Sequence, residues 1–286
     1  MTMQNAAFTG DEDSLLIGGG GIRLFCRWRH PSGPPRAVIV LVHGLCEHSG
    51  RYEELAGFFQ SQGYALFAFD LRGHGRSEGR RGHARRMGLM RSDLEQALMH
   101  VRSTYTDADI VIYGHSLGGL LVAAHLVGDR SREIRAAVIS SPWIRLVLTP
   151  PPLLVRMSAV LEKIFPGVQV DSRIDPRELS RDASVGEAYR ADPLVHSRIS
   201  ARFFNEVLRA IKTVRTGAHN IAVPVLIMHG EADRITDFEA SRSFSASIGR
   251  QATFISWPEC RHELHHEITR DEVLQSVSDW LNRILK

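Results

Sequence analysis

Three cysteines in 286 residues, Cys26, Cys46 and Cys260, are too few and too irregularly spaced for a disulfide framework or a zinc site. A reducing, cytoplasmic setting is the expectation that follows. Long apolar runs are lacking, so no bilayer-spanning segment is expected. The opening MTMQNAAFTGDEDS has neither the basic start nor the apolar stretch of a secretory signal. An excess of one charge is lacking too. Thirty-five basic residues stand against 32 acidic ones, a formal charge of +3, which gives no ground for a nucleic-acid partner. Repeats and low-complexity tracts are absent. With 43% hydrophobic and 23% charged residues, the composition excludes disordered and fibrous classes. What remains is a globular chain, long enough to bury a sizeable core. Its charge is uneven: Arg72, Arg76, Arg80, Arg81, Arg85, Arg86 and Arg91 fall in one short stretch. That stretch reads as a solvated basic loop, with weak attraction to anionic lipid as the sharper alternative.

The hydrophobic pattern has a β opening and then alternates. SLLI (14–17) and GIRLFCRW (21–28) flank Gly18–Gly20 as a hairpin. Short apolar runs follow at 37–43, 64–70, 109–114, 136–141, 223–230 and 252–257. Near-continuous apolar strands of this kind are buried on both faces, as in a parallel sheet. The segments at 52–62, 89–105, 117–127, 237–248 and 271–285 suit crossover helices, which predicts a doubly wound α/β sheet. From 142 to 219 the alternation stops. Two helices are expected there, over 150–165 and 201–214, the first started by prolines and stopped at Pro166–Gly167. Leu153, Met157, Val160, Leu161 and Ile164 share a face of the first, and Leu154 and Phe165 widen it. The insertion reads as a mainly helical cap, 142–219, on a core made of 1–141 and 220–286.

The strongest chemical signal is Gly114-His115-Ser116-Leu117-Gly118-Gly119, between a strand and an apolar helix. Small residues at both glycine positions let the chain turn sharply, leaving a serine in a strained conformation at the carboxyl end of the sheet. A serine hydroxyl is a poor nucleophile at neutral pH and needs a base. In the chain order serine, acid, histidine, Asp233 follows one strand and His262 the next, so the three are expected to converge at one sheet edge. Asp237 reads as the N-cap of the next helix, and Asp70 precedes the serine. His265 and His266 are rivals to His262 but lie further from the strand end. The backbone N–H groups of Leu117 and of Leu45, the latter in the loop His43-Gly44-Leu45, are the expected oxyanion donors. His262-Glu263-Leu264-His265-His266 matches H-E-x-x-H, yet it follows a strand and Pro258 rather than lying within a helix, so no metal is expected. Cys46 beside the oxyanion loop and Cys260 beside the base place two thiols close to the site.

HGLCEHSGRY (43–52), FDLRGHGRSEGRRGH (69–83), GHSLGG (114–119), ADPLV (191–195), MHGEADRIT (228–236) and CRHELHHE (260–267) together resemble the monoacylglycerol lipase and lysophospholipase-like branch of the α/β-hydrolases. The resemblance runs from about residue 40 to 267. It implies the α/β-hydrolase fold with an inserted cap, a Ser116–Asp233–His262 triad, Leu45 and Leu117 as oxyanion donors, a lipid ester substrate and no cofactor. It also implies a cap that encloses the acyl chain, with Leu154 and Phe165 as substrate contacts, and that touches membranes transiently. Leu45 and Leu117 are bulkier than the small residues sometimes found there, and 142–190 matches only loosely. The expected reaction is cleavage of monoacylglycerols to fatty acid and glycerol. The alternatives are a lysophospholipase or short-chain carboxylesterase with the same triad, and a non-catalytic lipid-binding homologue.

Overall fold

Five short runs of five or six residues, rich in Val, Ile, Leu, Ala and Phe, are buried along their whole length. Such runs are stable only between two layers of helices. The computed structural model describes residues 12–128 and 133–286 and shows that arrangement; the expectation for the chain start lies, for residues 1–11, outside the described residues. In chain order the strands of the main sheet are β1 (Glu12–Ile17), β2 (Arg23–Arg29), β3 (Val38–Val42), β4 (Ala65–Phe69), β5 (Ile110–His115), β6 (Ala136–Ser140), β9 (Val225–Gly230) and β10 (Ala252–Trp257). Their spatial order is β1-β2-β4-β3-β5-β6-β9-β10. Only the β1–β2 and β2–β4 pairs are antiparallel; the rest is parallel. This is the mostly parallel, doubly wound sheet of the α/β-hydrolase fold.

Alternate residues of β3 feed opposite layers, as the two-residue strand period requires. Val38, Val40 and Val42 join one apolar cluster with residues of α2 (Met87–Thr104), α3 (Leu117–Leu126) and α7 (Phe238–Ile248). Ile39 and Leu41 join the other, with α1 (Glu53–Ser61) and α8 (Arg270–Ile284). In the opening hairpin Ile17 pairs with Arg23, and Gly20 and Gly21 take positive φ. Gly21, expected in the strand, therefore belongs to the turn.

The segment between β6 and β9 holds α4 (Pro152–Ile164), α5 (Ala183–Ala191) and α6 (Ala201–Gly217). It also holds a two-stranded antiparallel ribbon, β7 (Gln169–Asp171) with β8 (Arg198–Ser200), which the sequence does not announce. Helix α6 turns Phe203, Val207 and Val214 into the same cluster as the sheet. No residue of helix α4 is fully buried, and Leu153, Leu154, Met157, Val160, Ile164 and Phe165 are all half or more exposed. Its polar side meets α6 through Ser158–Asn205 and Glu162–Arg209 contacts. Among the described residues no helix is long and apolar enough to cross a membrane.

Candidate active site

The sheet geometry decides where the chemistry-bearing residues fall. Leu45 follows β3, Ser116 follows β5, Asp233 follows β9 and His262 follows β10. These strands are parallel, so all four residues come out at one edge. Ser116 sits between β5 and α3 at φ 53°, ψ −113°, a conformation that L residues rarely adopt. The flanking glycines explain how the chain tolerates the turn. A Cβ on Gly118 would stand 2.1 Å from the Val42 carbonyl oxygen, and one on Gly114 2.6 Å from that of Gly118. Gly44 is constrained in the same way, because a Cβ there would press on Ser116 at 3.2 Å. The loop after β3 thus packs directly against the serine. The Gly44 N–H is turned away, donating to Glu47 Oε1 at 2.5 Å. The N–H groups of Leu45 and Leu117 carry no hydrogen bond within the protein among the described residues, and for Leu117 that is the ordinary condition of a first helical residue.

His262 Nδ1 lies 2.7 Å from Asp233 Oδ2, with both side chains buried. The carboxylate is surrounded by donors. Oδ1 accepts the N–H groups of Ile235 and Thr236 at 2.7 and 3.0 Å. Oδ2 also has Thr236 Oγ1 at 2.9 Å and His229 Nε2 at 3.0 Å. Burial by itself would raise the Asp233 pKa, but the charge on His262 and hydrogen bonds from His229 and His262 outweigh it and hold the carboxyl well below the usual range. Burial likewise would lower the His262 pKa; the facing Asp233 charge and its hydrogen bond reverse this and raise it above the ordinary value. With Nδ1 committed to the carboxylate, Nε2 is the nitrogen left for chemistry. Neither His229 nor Thr236 was singled out in the sequence, although both flank Asp233 in MHGEADRIT. Asp237 caps α7, accepting the Ala240 N–H at 2.7 Å, and Asp70 accepts the N–H groups of Ser49 and Arg76.

Ser116 and His262 line one small cavity with Gly44, Leu45, His115 and Glu47; the segment between β6 and β9 contributes Ile174, Leu179 and Tyr189. Its volume is about 20 Å³, about the space of one water. Leu154 and Phe165, the substrate contacts expected from the resemblance, are not among its lining residues and face outward on α4.

A second buried network lies beside the first. Arg51 binds Glu263 through both terminal nitrogens, at 2.6 and 2.7 Å, and Glu47 at 3.0 Å. Tyr52 donates to Glu47, and His266 lies 2.7 Å from both Glu263 Oε2 and the Arg51 carbonyl oxygen. Burial pushes the Glu47 and Glu263 pKa values up, but Arg51 and the neighbouring histidines bring both below the usual carboxylate value. One guanidinium therefore ties the Glu47 side of the β3 loop to the residue after His262. The ligand atoms of Glu263, His265 and His266 come within 4.8 Å of one another. His262 is not in that group, and the Arg51 charge on Glu263 opposes a cation there. His265 and His266 lie in a short turn, Leu264–His266, rather than on an α-helix. Cys46 and Cys260 are buried, and burial pushes the Cys46 thiol up to about 12, so it stays protonated at neutral pH.

Residues 33–269 match the family described as serine aminopeptidase, S33. The chain belongs to this family. It is 32% identical to a monoacylglycerol lipase of Mycolicibacterium smegmatis over 93% of this chain and 95% of that protein. It is 33% identical to a monoglyceride lipase of Mus musculus, over 93% and 89% respectively. The crystal structure of a Paleococcus ferrophilus monoacylglycerol lipase superposes with a TM-score of 0.84 at 32% identity, covering 91% of this chain and 99% of that one. The protein is a serine ester hydrolase.

Two outcomes test the geometry. Because the raised pKa leaves His262 neutral only at higher pH, a reaction that uses this ring as its base should show an acid limb of kcat/KM with its midpoint above the ordinary histidine value of about 6.5. Asp233→Asn should move that midpoint down and lower kcat by about 10⁴; pH–rate profiles of both proteins check this, and an acid limb unmoved by the substitution would contradict it. Arg51→Met leaves two buried carboxylates without their cation and should lower the unfolding free energy by about 3–5 kcal/mol, read from denaturant titration.

Proposed function

We propose that the protein hydrolyses monoacylglycerols to fatty acid and glycerol, with Ser116 as nucleophile, His262 as general base and Asp233 as the group that orients and charges it. The observation that carries this reading is the shared cavity. A strained serine and an imidazole held by a buried carboxylate line the same small space, beside two N–H groups that have no partner among the described residues.

The mechanism follows from the positions. Nε2 of His262 takes the Ser116 proton as Oγ attacks the ester carbonyl. The Leu45 and Leu117 N–H groups receive the oxyanion; one such donor is worth about 10²–10³ in rate. The imidazolium, stabilised by Asp233, protonates the departing glycerol oxygen. Water, activated by the same nitrogen, then releases the acid from Ser116. The relatives named above support a glyceride, and the polar wall of the cavity, Glu47, Glu263 and Tyr189, suits a hydroxyl-bearing leaving group.

A cavity of about 20 Å³ holds no acyl chain. Substrate entry requires Ile174, Leu179 and Tyr189 to withdraw, so residues 142–219 act as a cap over the core. The outward apolar face of α4, with no core to cover, fits contact with a lipid surface.

Ser116→Ala should lower kcat by about 10⁴ or more while the fold is kept, and a fluorophosphonate should label the wild type but not the variant. On a panel of monoacylglycerols, lysophospholipids and p-nitrophenyl esters, kcat/KM should be highest for the monoacylglycerols. Preference for lysophospholipid or short esters would replace the substrate, and near-full activity of the variant would remove the mechanism. Replacing Leu154 and Phe165 by Ser should reduce attack on micellar lipid more than on a soluble ester; equal losses would speak against lipid contact through α4.

A further inference from the structure

A much larger space lies outside the cavity of Ser116 and shares no lining residue with it. It is a groove of about 510 Å³ between α6 and α7, closed at one end by the segment after β6. That volume falls in the range of roughly 300–1,000 Å³ usual for small-molecule sites. The helical periods make it. Ile211, Lys212 and Arg215 lie along one face of α6, and Ala240, Ser243 and Phe244 along the facing side of α7.

Its chemistry is sorted by depth. Ile144 and Phe244 are almost wholly buried and Leu208 and Ile211 half-buried, so the apolar atoms lie toward the bottom. Lys212 and Arg215 are exposed at the rim. A third cation, Arg145, is already neutralised by Asp237 at 2.7 Å. Neither Lys212 nor Arg215 has a carboxylate partner among the described residues, and no acidic side chain lines the groove. The groove therefore offers two uncompensated positive charges above an apolar floor. A hydrated inorganic anion would leave the floor uncovered, and a neutral chain would leave the charges unused. A flat bilayer would not reach Ile144 and Phe244 between the helices.

We propose that this groove binds a free single-chain carboxylate amphiphile, its head paired with Lys212 and Arg215 and its first carbons against Leu208 and Ile211, above the buried Ile144 and Phe244. The pairing is of the charge-assisted kind that is stronger than a neutral hydrogen bond. The class includes the acid that ester cleavage at Ser116 would release, but the binding argument does not depend on that reaction.

The test is isothermal titration of the full chain with decanoate below its micelle concentration in low salt, alongside decan-1-ol and inorganic phosphate. Two variants accompany it: K212E/R215E, which reverses the rim charges, and S243W, which fills the groove from α7. All three substituted residues are exposed, and thermal melts verify the fold. Decanoate should bind the wild type, weaken as salt rises, and lose about tenfold or more in affinity in each variant. Decan-1-ol and phosphate should bind more weakly than decanoate. Absent binding, or decanoate affinity unchanged in either variant, which would place it in the cavity of Ser116 or elsewhere, overturns the proposal. So does phosphate or decan-1-ol binding as tightly as decanoate.

Discussion

The site depends on one buried carboxylate. Asp233 is taken out of water, which alone would favour its neutral form, and is kept ionised by two backbone N–H groups, Thr236, His229 and His262. That saturation has two consequences. It fixes which nitrogen of His262 carries the proton, and it stabilises the charged form of the ring. Among the described residues nothing else supplies a negative charge to that ring through a direct hydrogen bond. The turn that holds Asp233 is in turn anchored outside itself: Leu146 bridges to Thr236, and the Trp143 N–H donates to the Ser116 carbonyl oxygen. The segment leaving β6 thus touches both the serine and the turn that holds the acid.

The second constraint is the pairing of Glu47 and Glu263 by Arg51. A buried charge network of this kind contributes little net stability compared with apolar packing, while breaking it is expensive. What it provides is a fixed relation between two loops that are over two hundred residues apart in sequence. One of them packs Gly44 against Ser116, and the other carries His262. Placement of the Gly44–Leu45 loop and of His262 therefore rests on the same guanidinium, with Tyr189, from the segment that closes the cavity, stacked over it at 4.8 Å.

Much of this was legible in the residues. Each apolar run became a strand, because a five-residue stretch such as VIVLV has no polar side and no alternative to full burial. The elbow was legible because strand, glycine, serine, glycine and helix in succession leave one way for the chain to turn. Other features were hidden for physical reasons. β7 and β8 are three residues each, too short for a period to register, and they pair across α5. The apolar face of α4 has the same spacing whether it packs on a core or faces outward, so Leu154 and Phe165, substrate contacts by resemblance alone, are found on the outside. His229 and Thr236 are ordinary residues of a strand end and a turn until Asp233 is seen between them. Arg51 and Glu263 are charges whose burial no local pattern reveals.

The claim that Asp233 sets the state of the base is tested most directly by nitrogen NMR of the histidine side chains, with His262 assigned by substitution. The account predicts that at neutral pH the His262 ring carries its proton on Nδ1, and that the ring takes up its second proton at a pH above that of a free histidine. A ring protonated on Nε2 at neutral pH, or one that charges only below the free value, would contradict it.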